Sequence, residues 1–168
     1  RSIYFPAMPD PKPTPKPPAT GTRTIDQNLV RAALRRMARN PQPPWLHAEV
    51  AGRMAERLPV VRLDPSTVLD WWGYTGASAA LLRAAYPKAR RVVFEPDEAL
   101  LARSRDASQR PWWTARRGAA VEVRGDEPQA GAAQLLWANM MLHAVADLPA
   151  MFERWQRALA VDGFLMFS

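Results

Sequence analysis

Cysteine is absent from the 168 residues of this chain, which excludes disulfides and thiolate-bound metal centres. Histidine is nearly absent: His47 and His143 are the only two, too few for a histidine-based zinc site unless several carboxylates join them. No window of about 18 consecutive apolar residues occurs, so no stretch reads as a membrane-spanning helix. The opening residues, RSIYFPAMPD, contain no long apolar core of the signal-peptide kind. A thiol-free chain of this type is expected in a reducing, cytoplasmic setting. Glycine is scarce too, at 8 residues, and the shortage falls on one loop described below. Nothing repeats at the lengths that signal a solenoid.

What is present suits one core domain, with 48% hydrophobic residues and enough length to bury a sizeable interior. The net charge of +7 is unevenly placed. Residues 1–62 hold eleven Lys/Arg against four Asp/Glu, whereas residues 63–168 hold twelve of each. An excess confined to the N-terminal third favours an acidic partner there, nucleic acid or protein. Solvated helix faces in an arginine-rich composition account for the same count.

Residues 1–24 carry much of the proline, in PDPKPTPKPPATGTRT, and read as a disordered or polyproline-like tail. Met8 opens that stretch and is a candidate natural start. Residues 25–62 read as N-terminal helices. The first, Ile25 to Arg39, is amphipathic, with Leu29, Ala33 or Leu34, and Met37 at helical spacing and Arg35, Arg36 and Arg39 toward its end. Pro41, Pro43 and Pro44 break it. The second, Leu46 to Leu58, spaces Leu46, Val50, Met54 and Leu58 by four, and Pro59 leads out of it.

Residues 63–168 alternate strand and helix. Strands are expected at Val68 to Trp71, Arg91 to Glu95, Ala120 to Arg124, Ala133 to Ala138 and Gly163 to Ser168. Helices are expected at Ala77 to Ala85, Asp97 to Ala107 and Pro149 to Ala160. Repeated βα order without hairpin turns predicts an α/β fold, a doubly wound and mostly parallel sheet with helices on both faces. The segments TVLDWWGYTG and RVVFEPD form one βαβ unit with Asp70 and Glu95 at its strand tips, the layout of a nucleotide-type cofactor site. Trp155 and Phe152, with Met151 and Leu159, have the spacing of a sheet-facing stripe. Trp45, Trp112 and Trp113, beside prolines, are expected in core or interdomain contact, with a substrate entrance as the alternative.

Set end to end, VLDWWGYTG, VVFEPDEALLARSR, RGDEP, LLWANMMLHAVADLPAMFERWQRAL and VDGFLMFS resemble the class I S-adenosylmethionine-dependent methyltransferases. More narrowly they resemble the BioC-like branch, which methylates malonyl thioesters on acyl carrier protein in biotin synthesis. The resemblance implies a Rossmann-like domain over residues 63–168, incomplete at its C-terminus because the chain stops inside the fifth expected strand. It implies S-adenosylmethionine as cofactor. It also implies cofactor-binding roles for Asp70, Gly73 and Gly76 around the first loop, for Glu95 on the ribose hydroxyls, for Asp126 on the adenine amino group, and for Asn139 beside the fourth strand. A carboxylate suits a vicinal diol because it offers two acceptor oxygens. His143 is the candidate catalytic residue, as a general base or an orienter of a carboxylate. No metal is implied.

The family's loop pattern D-x-G-x-G-x-G departs here at its first two glycines, which are Trp72 and Tyr74, while Gly73 falls one place off. Two side chains in a loop that normally lets backbone approach a ligand leave two outcomes open, a pocket packed shut or a working pocket with the rings turned aside. Two functions follow. One is methyl transfer to a small carboxylate or acyl thioester, free or carried on an acidic protein that docks at Arg31, Arg35, Arg36 and Arg39. The other is a non-catalytic methyltransferase-like scaffold that has lost cofactor binding. A nucleic-acid partner is disfavoured, because no recognised binding module accompanies the basic helices.

Overall fold

The computed structural model describes residues 24–62, 64–109 and 121–168. The proline-rich tail and the Trp112–Trp113 connection lie outside the described residues. Five strands, β1 (Thr67–Trp71), β2 (Arg90–Phe94), β3 (Val121–Arg124), β4 (Ala133–Ala138) and β5 (Leu159–Phe167), form one sheet in the order β3-β2-β1-β4-β5. Every neighbouring pair is parallel. The order reverses between β1 and β4, so their C-terminal ends flank a switch-point crevice, the usual ligand position in such sheets.

The strands are apolar runs because both of their faces are covered. All five residues of β1, TVLDW, are buried. Alternation sends Leu69 and Trp71 to one face, where they meet Met151, Trp155 and Ala158 of α6 (Leu148–Ala158). Val68, Leu135 and Trp137 meet the other face's helices, α2 (Trp45–Ala55) and α4 (Ala79–Ala85), through Ala51, Met54 and Leu82. The Trp137 indole N–H donates to Ser78 Oγ at 2.7 Å, so the buried ring leaves no polar group unpaired there.

Capping carboxylates start three of the helices. Asp26 accepts from the Asn28 and Leu29 N–H groups at the start of α1 (Gln27–Ala38), Asp97 from Ala99 N–H at α5 (Glu98–Ser108), and Asp147 from Ala150 N–H at α6. Several expectations shift. Pro59 does not end the second helix but sits in the first turn of a separate short helix, α3 (Leu58–Val61), where a missing N–H costs nothing. β5 starts straight out of α6 at Leu159 and turns at Asp162, whose φ is 62°.

Four side chains are not where the sequence patterns put them. Leu29 is 69% exposed, and α1 instead buries Leu34, with Val30, Met37 and Ala38 packed around it. Leu46 is exposed, and α2 turns His47, Ala51 and Met54 inward. Trp45, expected in a packing contact, is 77% exposed. Phe152 sits at the rim of the α6 core rather than inside it, edge-on to Trp155 and Phe167.

Candidate functional site in the switch-point crevice

The loop after β1 keeps the backbone path of a glycine loop while carrying side chains. Trp72 has φ 59° and ψ 50°, and Gly76 has φ 75°. For a bulky residue the left-handed region is strained, by about 1–3 kcal/mol. Trp72 N–H donates to Phe94 O at 2.8 Å, which ties the turn to the end of β2. Residues Gly73–Thr75 then make one 3-10 turn.

Asp70 lies beneath this turn and is ion-paired with Arg91 of β2; the two side chains are nearly buried. A Cβ on Gly73 would come within 2.7 Å of Asp70 Oδ2 and 3.0 Å of Val93 Cγ1. Gly73 is therefore required by the close packing of loop on carboxylate, and Asp70 supports the loop from below with its charge committed to Arg91.

Glu95 follows β2 on the neighbouring strand tip and is 1% exposed. Ser104 Oγ of α5 donates to its Oε1 at 2.7 Å. Its Oε2 has no partner. Burial, outweighing the Ser104 bond, pushes the Glu95 carboxyl up to about 9, with the Asp70 charge adding to the rise. The group is thus protonated near neutral pH, and one of its oxygens is buried without a hydrogen bond, an arrangement that costs free energy until a partner arrives.

Tyr74 closes the roof over Glu95. Its ring is buried with Leu34 of α1 and Leu100 of α5, and its hydroxyl lies 3.4 Å from Met37 Sδ. Burial, then the nearby Glu95, raises its phenol to about 12. Helix α1 is fastened over this roof. Arg35 donates to both Asp97 oxygens, at 3.3 and 2.8 Å, and Arg103 donates to the carbonyls of Ala38, Asn40 and Pro41.

On the β4 side of the crevice, Asn139 Nδ2 donates to the His47 carbonyl at 2.9 Å, joining α2 to the tip of β4. His143, in the 3-10 turn Leu142–Ala144, is exposed at the rim. A small cleft of about 10 Å³, the room of a single water, lies here, lined by His47, Trp72, Tyr74, Thr75, Asn139 and His143 among others. That is far below the roughly 300 Å³ at which small-molecule sites begin, so the crevice is closed to a ligand of that size in this conformation. Asp126 stands apart. It is exposed after β3 and ion-paired with Arg124, whose hydrogen bond holds its carboxyl below the usual range.

The structure thus gathers Asp70, Gly73, Glu95, Asn139 and His143 around the crevice, with Gly76 at the exposed exit of the loop and Asp126 at the next strand tip. His47 was missed as a site residue. Its signal was the spacing of His47, Ala51 and Met54, which competes with the Leu46 stripe and proves to be the inner face of α2. Among the described residues, no cluster of three potential metal ligands occurs, and no helix is long and apolar enough to cross a membrane.

No family model matches the chain. Among curated proteins it is 35% identical over 151 residues to the malonyl-[acyl-carrier protein] O-methyltransferase of Laribacter hongkongensis, a match covering 85% of this chain and 50% of that protein. The protein of the same name from Gallionella capsiferriformans is 30% identical over 151 residues, covering 86% and 51%. The chain spans about half the length of these curated relatives. Among solved structures, the N-methyltransferase NodS from Bradyrhizobium japonicum in complex with S-adenosyl-L-homocysteine superposes with a TM-score of 0.60 at 18% identity, covering 82% of this chain and 71% of that one. A SAM-dependent methyltransferase from Leishmania major gives 0.59 at 16% identity, covering 84% and 59%. At such identities the structures establish a shared fold.

Proposed function

We propose, from the premise that this chain belongs with the class I S-adenosylmethionine-dependent methyltransferases of malonyl-[acyl-carrier protein] O-methyltransferase type, that it carries the cofactor-binding part of an enzyme esterifying the free carboxylate of a malonyl thioester. The observation that carries the reading is the Glu95 carboxyl, buried at the tip of β2 with one oxygen unpartnered. A ribose hydroxyl would supply that missing hydrogen bond. S-adenosylmethionine, when bound, supplies a methyl group made electrophilic by its sulfonium.

The remaining roles are assigned on chemistry. Glu95 hydrogen-bonds the ribose diol through the oxygen that Ser104 leaves free, as a donor while the carboxyl is protonated, and Asp126, one strand further on, accepts from the adenine amino group after swinging from Arg124. Gly73 and Gly76 let the loop backbone approach, with Asp70 bracing it, and Asn139 holds α2 against β4. The transfer forms one bond from carboxylate oxygen to methyl carbon. The bound methyl donor would release its methyl–sulfur electron pair to sulfur, and this chain would have no proton to move. A carboxylate nucleophile is already ionised at neutral pH, so His143 has no proton to remove and acts in positioning, consistent with catalysis by alignment.

Arg31, Arg36 and Arg39 point a cationic face away from the core of α1, whereas Arg35 is engaged by Asp97. An acidic carrier protein would meet that face, in a cytoplasmic setting. The non-catalytic alternative draws on Trp72, Tyr74 and the narrow cleft, and the enzyme names of the curated relatives do not favour it. The test is methyl transfer to malonyl-carrier protein followed by mass spectrometry. A product heavier by one methyl group supports the reading, and folded protein giving none with cofactor and carrier saturating rejects it. In a triple Arg31→Glu, Arg36→Glu, Arg39→Glu variant the KM for the carrier should rise about tenfold or more at low salt and much less at high salt; equal effects at both contradict the docking face.

A further inference from the structure

We propose that Trp72 and His47 form a carboxylate-binding pair in the crevice between β1 and β4, with His143 at its rim. The proposal rests on the methyltransferase reading above and adds the donor set. The chain's only two histidines, far apart in sequence, line one cleft together with Trp72. His47 is 8% exposed, and its Nδ1 has no partner; the Trp72 Nε1 is likewise buried and unpartnered. An indole N–H is a donor only, so the unmet need at Trp72 is for an acceptor. His47 in its Nδ1–H tautomer presents a second.

Three further observations point the same way. Trp72 holds its ring in place at a left-handed φ of 59°, strain of a kind that persists where a site requires it. The His47 backbone is pinned by Asn139 at 2.9 Å, which fixes the imidazole relative to the tip of β4. Burial, and then the neighbouring His143, lower the His47 pKa, so the ring is a neutral donor near pH 7. Neutral donors orient an anion without placing a fixed cation beside a sulfonium.

The shared ligand chemistry is a carboxylate, and two molecules can bring one: the acyl acceptor, through its free carboxylate, and the cofactor, through its methionine part. The test is NMR of the Trp72 indole N–H, identified with Trp72→Phe, and of the two imidazoles. Malonyl-pantetheine, its methyl ester and S-adenosylhomocysteine are titrated separately into the protein. If the acceptor is the source, malonyl-pantetheine moves the Trp72 and His47 signals together, and the methyl ester binds about tenfold more weakly or worse. Movement by S-adenosylhomocysteine alone also supports the pair and names the cofactor as source. His47→Leu should weaken whichever ligand acts by about tenfold, and His47→Gln, which keeps an N–H donor, should recover most of that loss. The proposal is overturned if neither malonyl-pantetheine nor S-adenosylhomocysteine moves both signals, or if malonyl-pantetheine alone moves them and its methyl ester binds as tightly. Failure of methyl transfer with both signals still moving would reject the enzyme reading and leave the pair standing.

Discussion

Glu95 couples the site to pH. Its carboxyl titrates at 4.5 in an unfolded chain and at about 9 when buried. Between those values the folded state holds a proton that the unfolded state has lost, so stability falls as pH rises across that window. Below 4.5 both states are protonated and the penalty vanishes. Glu95→Gln removes the titration. The thermal midpoint of the wild type should therefore drop more steeply from pH 5 to pH 8 than that of the variant, and parallel slopes in a melting series would refute the burial argument. Two glycines give a second residue-scale contrast. Gly73→Ala drives a methyl group to 2.7 Å from Asp70 Oδ2, while Gly52→Ala in α2 meets nothing within 4 Å. The first should cost about 1–3 kcal/mol and the second gain about 0.5–1 kcal/mol, as read by urea denaturation. The two strand-tip acids were legible in the sequence because a polar residue ending an apolar run has few explanations. That Trp72 would keep a glycine's backbone conformation was not, since residue pattern carries no φ.

Among the elements, α1 does most to shape the site. It packs Leu34 and Met37 on the Tyr74 ring that roofs Glu95, and two arginine contacts fasten it. Its existence and ends could be read from Asp26, the helical spacing and the prolines that follow. Its inner face could not, because Leu29 and Val30 fit a helical stripe equally well and the choice is made by the distant surface of Tyr74 and Leu100. The same competition in α2 hid His47 behind Leu46. Arg103→Ala should loosen the C-terminal end of α1, which receives its hydrogen bonds at Ala38, Asn40 and Pro41. Charged hydrogen bonds of this kind are worth about 1.5–3 kcal/mol, so amide exchange in α1 should quicken about tenfold or more while β1 and β4 are unchanged. Unaltered exchange in α1 would mean that Tyr74 and Leu34 alone hold it.

At the scale of the whole molecule, the parallel sheet followed from the βα alternation, and the strand order placed β1 beside β4 as a doubly wound sheet requires. The segregation of charge also survives into the fold, with the cationic face on α1 and near-neutral elements beyond it. The closed state of the crevice was left open by the sequence, because it depends on how a roof helix seats two aromatic rings, a matter of tertiary packing. In the proposed function, Glu95, hidden under that roof, is kept for the ribose of a methyl donor. Calorimetric titration of S-adenosylhomocysteine into the wild type and Glu95→Ala tests this most directly. Saturable one-to-one binding that weakens more than about tenfold in the variant is the predicted result; folded wild type that takes up no ligand, or a variant that binds equally well, would contradict it.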